Sequence, residues 1–254
     1  MTLRLEKDGR IARLLIDRPD KRNAFTQAMW ELFPELLADA MDDEAIRVLI
    51  VSASAQDSAF SAGADIAEFA AGAKDPEWRA KNQAAIRKVQ HDLARASKPT
   101  VAVIDQDCIG GGCGIAIACD MRVAGPKARF GITPAKLGLV YSLHDTKLLV
   151  DLVGPAQAKR ILFTGQLLSA EEAQRIGLVT ILAGEPHEEA LALAGTMASV
   201  SSHSQKMSKA IVRRILDGQA DDDSETAAQF DGAFEGEDFA EGVSAFLEKR
   251  KAEF

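Results

Sequence analysis

Hydrophobic and polar positions along this chain alternate at first and later adopt a longer period. Leu3-Arg4-Leu5-Glu6 and Ile11-Ala12-Arg13-Leu14-Leu15-Ile16 read as two strands joined by an Asp8-Gly9 turn, a hairpin signature. From Thr26, which suits an N-cap, Met29, Leu32, Phe33, Leu36 and Leu37 recur on one face and predict a helix to about Met41. Pro34 lies inside that span and is expected to kink or split it. Arg47 to Ser52 reads as a short buried strand, followed by a loop that ends at Gly63-Ala64-Asp65. A helix is predicted from about Pro76 to Ala96, stopped at Lys98-Pro99, with a buried strand over Thr100 to Ile104. Gly110-Gly111-Gly112-Cys113-Gly114 opens a small-residue helix, and Met121 to Ala124 reads as a strand. Ser169-Ala170-Glu171-Glu172 is a capping box, Leu178 to Leu182 is strand-like, and every signal from about His187 onward is helical. Strands alternating with helices, then a run of helices, predict an α/β core with a helical C-terminal appendage.

Composition narrows the function classes. The 254 residues are 47% hydrophobic and only 6% aromatic, so the core must be built mainly from Ala, Leu, Ile and Val. A formal net charge of −8 disfavours nucleic acid or an anionic membrane surface as general partners. No run approaches the roughly 18 apolar residues of a membrane span, and the N-terminus enters a strand directly, so a cytoplasmic location is expected. Cys108, Cys113 and Cys119 form an odd set without histidines at ligand spacing; they read as small buried thiols, and no metal is expected.

Strand, glycine turn, helix occurs twice, near Gly63 and near Gly111. Glycine permits close backbone approach, and a helix start leaves N–H groups unpaired. Two such turns side by side would aim two donors at one oxygen, the geometry that stabilises an oxyanion or enolate. The alternative is that these glycines only allow close packing. Neither turn has the Lys-Ser/Thr ending of a phosphate loop.

These residues carry a resemblance. Ala59-Phe60-Ser61-Ala62-Gly63-Ala64-Asp65-Ile66 and the glycine run through Cys119-Asp120 resemble the two signatures of the crotonase family, the enoyl-CoA hydratase/isomerase fold. Arg18-Pro19 with Asn23-Ala24, Leu162-Phe163-Thr164-Gly165, Ile176-Gly177-Leu178-Val179 and the ending Glu241 to Lys251 match in order. The resemblance implies a crotonase-like spiral of ββα repeats over residues 1–195. It implies a C-terminal helical oligomerisation region over 196–254, with assembly as a trimer or a dimer of trimers. It implies an acyl-CoA thioester as substrate, coenzyme A being part of that substrate and no separate cofactor being needed. Ala64 and Gly111 would grip the thioester carbonyl. Ala62, Asp65, Ile66 and Ala67 would line the acyl and pantetheine path, and Lys21, Arg22, Phe246 and Lys249 would contact the coenzyme A portion.

The same resemblance implies two catalytic glutamates at positions occupied here by Gly114 and Pro134. Neither residue can move a proton. A vacated position 114 would leave space beside the thioester for water or a larger acyl group. Tyr141, His144 and Asp145 are the candidate substitutes, a histidine being suited to proton transfer near neutrality. The alternative reading has Asp145 capping the following helix, His144 facing solvent and Tyr141 packed under a loop. Three functions follow: an enolate-stabilising enzyme of the hydratase/isomerase type with non-standard acid/base residues, a methylmalonyl-CoA-decarboxylase-like or thioester-hydrolase activity, or a non-catalytic acyl-CoA-binding scaffold. The decarboxylase reading is incomplete, because that family places a histidine where Ala64 stands.

Overall fold

The computed structural model describes residues 2–254. Strands β1 (Leu3–Asp8) and β2 (Ile11–Ile16) form the expected antiparallel hairpin. Asp8 pairs with Ile11, however, so the turn is Gly9-Arg10 rather than Asp8-Gly9. Gly9 stands first in the loop with φ +54°, the conformation glycine adopts without strain. Helix α1 (Gln27–Asp42) is capped by the Thr26 side chain and runs unbroken through Pro34. The proline removes one intrahelical donor, but Pro34 is itself buried with Met29, Trp30, Phe33 and Leu37, and packing holds the helix.

Strand β3 (Val48–Ala53), helices α2 (Ile66–Gly72) and α3 (Pro76–Ala94), and strand β4 (Thr100–Ile104) follow. Then come β5 (Asp107–Ile109), α4 (Gly111–Ala118), β6 (Met121–Ala124) and β7 (Arg129–Gly131). Helix α5 (Leu143–Thr164) breaks at Gly154-Pro155, where Gly154 has φ +72° and Pro155 restarts the helix. Short elements β8 (Leu168–Ser169), α6 (Ala170–Arg175) and β9 (Ile181–Leu182) lead to α7 (Pro186–Ala198), α8 (Ser202–Leu216), α9 (Ser224–Gly232) and α10 (Glu237–Glu248). Of the strand-like stretch Leu178 to Leu182, only the last two residues pair, against β6. At the expected capping box, Ser169 accepts from the Glu172 N–H as predicted.

The main sheet has the order β1-β2-β3-β4-β6-β9, parallel beyond the first hairpin, and β5-β7-β8 form a second, small sheet. The sheet is covered on both faces, which is why Val48 to Val51 and Val101 to Ile104 read as continuous apolar runs. Leu49, Val51, Ala102 and Ile104 pack with the residues of α1, α3 and α4. Val48, Ile50, Val101, Val103 and Val123 meet Ala190, Ala194 and Met197 of α7 on the other side. Cys108, Cys113 and Cys119 are free and buried, as small core thiols. Burial pushes the Cys119 thiol up to about 12, away from reactivity. The mixed α/β architecture and its C-terminal helices match the expected crotonase fold.

Candidate active site

The first glycine turn is pinned from both sides. Phe25 donates its N–H to the Gly63 carbonyl and accepts from the Asp65 N–H, while Ser61 pairs with β5. Asn23, buried at φ +57°, ties the two loops together: its side chain donates to the Ala59 carbonyl at 2.7 Å and accepts from the Arg18 N–H at 2.8 Å. The Gly63 N–H donates to Ser61 Oγ at 3.1 Å, so the N–H groups on either side of Ala64 are used but not its own. Gly63 adopts φ +93°, and a β-carbon there would lie 2.9 Å from the Ile109 carbonyl oxygen and 3.4 Å from the Gly111 nitrogen. Only glycine lets the two turns come this close. Across the contact, Gly110 takes φ +54° as it opens α4, and its N–H is held by the Gly131 carbonyl at 2.7 Å. Neither the Ala64 nor the Gly111 N–H donates to a protein acceptor among the described residues. Gly111 stands at a helix start, where the first N–H groups are free and the helix dipole is positive.

One turn further into α4, Gly114 meets α3 and the start of α5. A β-carbon on Gly114 would lie 2.0 Å from the Gln90 amide and 3.2 Å from Tyr141 Oη. The expected empty space at position 114 is therefore not there, because Gln90 from α3 fills it. Gln90 is 1% exposed, and with its amide nitrogen turned toward Asp145 it donates to both carboxylate oxygens, 2.8 Å to Oδ2. Asp145 is itself buried, and burial lifts its carboxyl to about 6, opposed by a hydrogen bond with Ser142. The Tyr141 hydroxyl is buried without a hydrogen-bond partner among the described residues. Burial first, and the Asp145 charge second, hold its phenol well above the ordinary range, so it stays a neutral donor.

Asp145 does not cap α5; Ser142 does, accepting from the Asp145 N–H at 3.1 Å. His144 is half-buried rather than solvent-facing. Its Nε2 has no hydrogen-bond partner among the described residues, and its ring lies 5.8 Å from that of His91. Burial, with Arg95 adding to it, holds the imidazole below its ordinary value. Its contacts run to α3 and brace the start of α5. Pro134 opens a single 3-10 turn, Pro134–Leu137, and its carbonyl accepts from the Leu139 N–H at 2.9 Å.

The predicted path residues divide by role. Asp65 caps α2 through the Ala67 and Glu68 N–H groups and pairs with Arg18 at 2.7 Å, whose hydrogen bond lowers its pKa. Ala62 donates its N–H to the Arg22 carbonyl, while Ile66 and Ala67 are exposed at the start of α2. Arg22 is committed to Asp107, which also takes Arg129 at 2.7 Å. Lys21 and Lys249 form no ion pair among the described residues, whereas Arg250 is held by Glu241 and Glu248. Phe246 is 82% exposed on α10 and lines a cavity of about 940 Å³ with Phe230, Phe234 and Phe239. Gln90 was not a candidate in the sequence. The available signal was a polar residue on the apolar face set by Ile86, Val89 and Leu93.

Comparison with known proteins identifies the family and the fold. The enoyl-CoA hydratase/isomerase family model matches residues 6–254. The chain is 34% identical to a crotonyl-CoA hydratase of Syntrophomonas wolfei, covering 98% of this chain and 96% of that protein. It is also 34% identical to a short-chain-enoyl-CoA hydratase of Clostridium acetobutylicum, over 98% and 95%. A crystal structure of a putative enoyl-CoA hydratase/isomerase family protein from Hyphomonas neptunium superposes with a TM-score of 0.96 at 36% identity, covering 100% of this chain and 97% of that one. With match, coverage and fold in agreement, the chain belongs to the enoyl-CoA hydratase/isomerase family.

Proposed function

We propose that this protein binds an acyl-CoA with the thioester oxygen between the N–H groups of Ala64 and Gly111, and moves a proton on the acyl chain with Asp145. The observation that carries the reading is the pairing of two unused backbone donors with a buried carboxyl whose pKa of about 6 suits work near neutrality. In the forward step Asp145, ionised, takes a proton from the carbon next to the thioester. The C–H electron pair moves into the carbonyl, and the resulting enolate oxygen is held by the two donors. Asp145 then returns the proton to the γ carbon, which shifts a double bond. One carboxyl suffices for this. Syn hydration by a pair of glutamates at 114 and 134 is not available to Gly114 and Pro134.

Lys21 and Lys249, which form no ion pair among the described residues, are candidate cations for the phosphates of coenzyme A. The apolar surface of α8 to α10, Phe246 included, is the face that would pack against further copies in a homotrimer or a dimer of trimers. The test is turnover of 3-butenoyl-CoA to crotonyl-CoA, followed by absorbance, with acyl-pantetheine as the comparison lacking the nucleotide phosphates. Isomerisation that needs Asp145 supports the reading. Decarboxylation of methylmalonyl-CoA or thioester cleavage, with 3-butenoyl-CoA untouched, would replace it.

A further inference from the structure

Gln90 stands between Asp145 and the place beside Gly114, one helical turn from the Gly111 donor. We propose that Gln90 is the positioning residue of this site, its amide turning over with the charge on Asp145; this rests on the proposed role of Asp145. An ionised carboxylate only accepts, so it draws the amide nitrogen, as in the bond of 2.8 Å to Oδ2. The amide oxygen then faces the place beside Gly114. A protonated Asp145 is a donor and draws the amide oxygen instead, which turns the NH₂ toward Gly114. Gln90 thus presents an acceptor beside the acyl chain before Asp145 takes a proton and a donor afterwards. The Tyr141 hydroxyl, 3.2 Å from the same place and without a protein partner, is the fixed donor next to it.

Among the described residues no charged group pairs with Asp145. The titratable groups nearest the cluster are Tyr141 and His144 on its own segment, and Cys108 and Cys113, which face Tyr141 from β5 and α4. From α3, Arg87 and His91 face His144, as does Arg95 just beyond that helix. Gln90 and Ser142 are therefore the side chains placed to stabilise the charge of Asp145 directly, and Gln90 is the one that also reaches the place beside Gly114.

Gln90→Leu removes the amide while keeping an apolar side chain of similar reach. The Asp145 carboxyl can be followed by ¹³C NMR of aspartate-labelled protein, its signal assigned by loss in Asp145→Asn. The titration midpoint should rise by about one pH unit in Gln90→Leu, since the charged form loses its donor. Exchange of the acyl-CoA α protons should fall about tenfold with binding unchanged, and adding Gln90→Leu to Asp145→Asn should cause no further fall. Gln90→Met gives the same readouts if the leucine variant folds poorly. An unmoved midpoint, or effects of the two substitutions that multiply, would overturn the role of Gln90. Wild-type exchange in Asp145→Asn would overturn the proposed function instead, and a midpoint shift in Gln90→Leu would still show that the amide holds the carboxyl.

Discussion

The Gln90 amide occupies the volume that a side chain at position 114 would need, 2.0 Å from where a Gly114 β-carbon would stand. A side chain at position 114 would therefore have to displace the buried Gln90 amide.

Gly114→Ala should consequently destabilise the protein by about 1–3 kcal/mol, the usual range for overpacking. Pairing it with Gln90→Ser, which withdraws the amide, should recover most of that loss. Thermal melts of the single and double variants check this. Equal melting temperatures for Gly114→Ala and the wild type would contradict the close contact.

The buried Asp145 makes stability depend on pH. Its pKa rises from 3.8 to about 6 in the folded state, so the native protein holds this proton more tightly than the unfolded chain. The stabilisation this gives is full below about pH 4 and is lost as pH rises through about 6. Asp145→Asn should be more stable than the wild type at pH 7.5, by up to about 2–3 kcal/mol, with the gap closing toward pH 4. Melting temperatures across this range measure it. Activity should run the other way, with the wild-type rate rising through a limb near pH 6 that Asp145→Asn lacks.

Gly63 is the hinge of the paired donors. Gly63→Ala must place a β-carbon 2.9 Å from the Ile109 carbonyl at a φ of +93°, which pushes the two turns apart. Misplacing one donor should lower the exchange rate by about 10²–10³ while the melting temperature falls only modestly. Single-turnover rates on the folded variant test this. A rate within twofold of the wild type would separate Ala64 and Gly111 from the chemistry.

Much of the fold was legible because it follows short-range rules. The Thr26 cap, the hairpin and the run of C-terminal helices are written in local spacing. Both glycine turns were legible for the same reason, since their backbone demands glycine whatever surrounds it. What could not be read was tertiary. Pro34 sits inside an intact helix because its neighbours are buried with it. Strands β5 and β7 are three residues each and exist only through pairing with each other, with β8 and with Ser61. Gln90 lies 24 positions before Gly114 in the chain, on a helix with no motif, and only packing brings the two together. Asp145 also read as a helix cap, a role that Ser142 holds instead.

Phe246→Glu places a charge in the apolar surface of α10. If that surface joins copies of the chain, the variant should sediment as smaller particles than the wild type. Identical sedimentation of both would remove Phe246 from the assembly.

The central claim is that Ala64, Gly111 and Asp145 together create an enolate at the carbon next to the thioester. Incubation with butyryl-CoA in D₂O tests this with no overall reaction required. Mass spectrometry should show deuterium at the α carbon, incorporated faster as pH rises through about 6 and abolished in Asp145→Asn. Tight binding of butyryl-CoA with every α hydrogen retained would contradict it, leaving a protein that holds acyl-CoA without activating it.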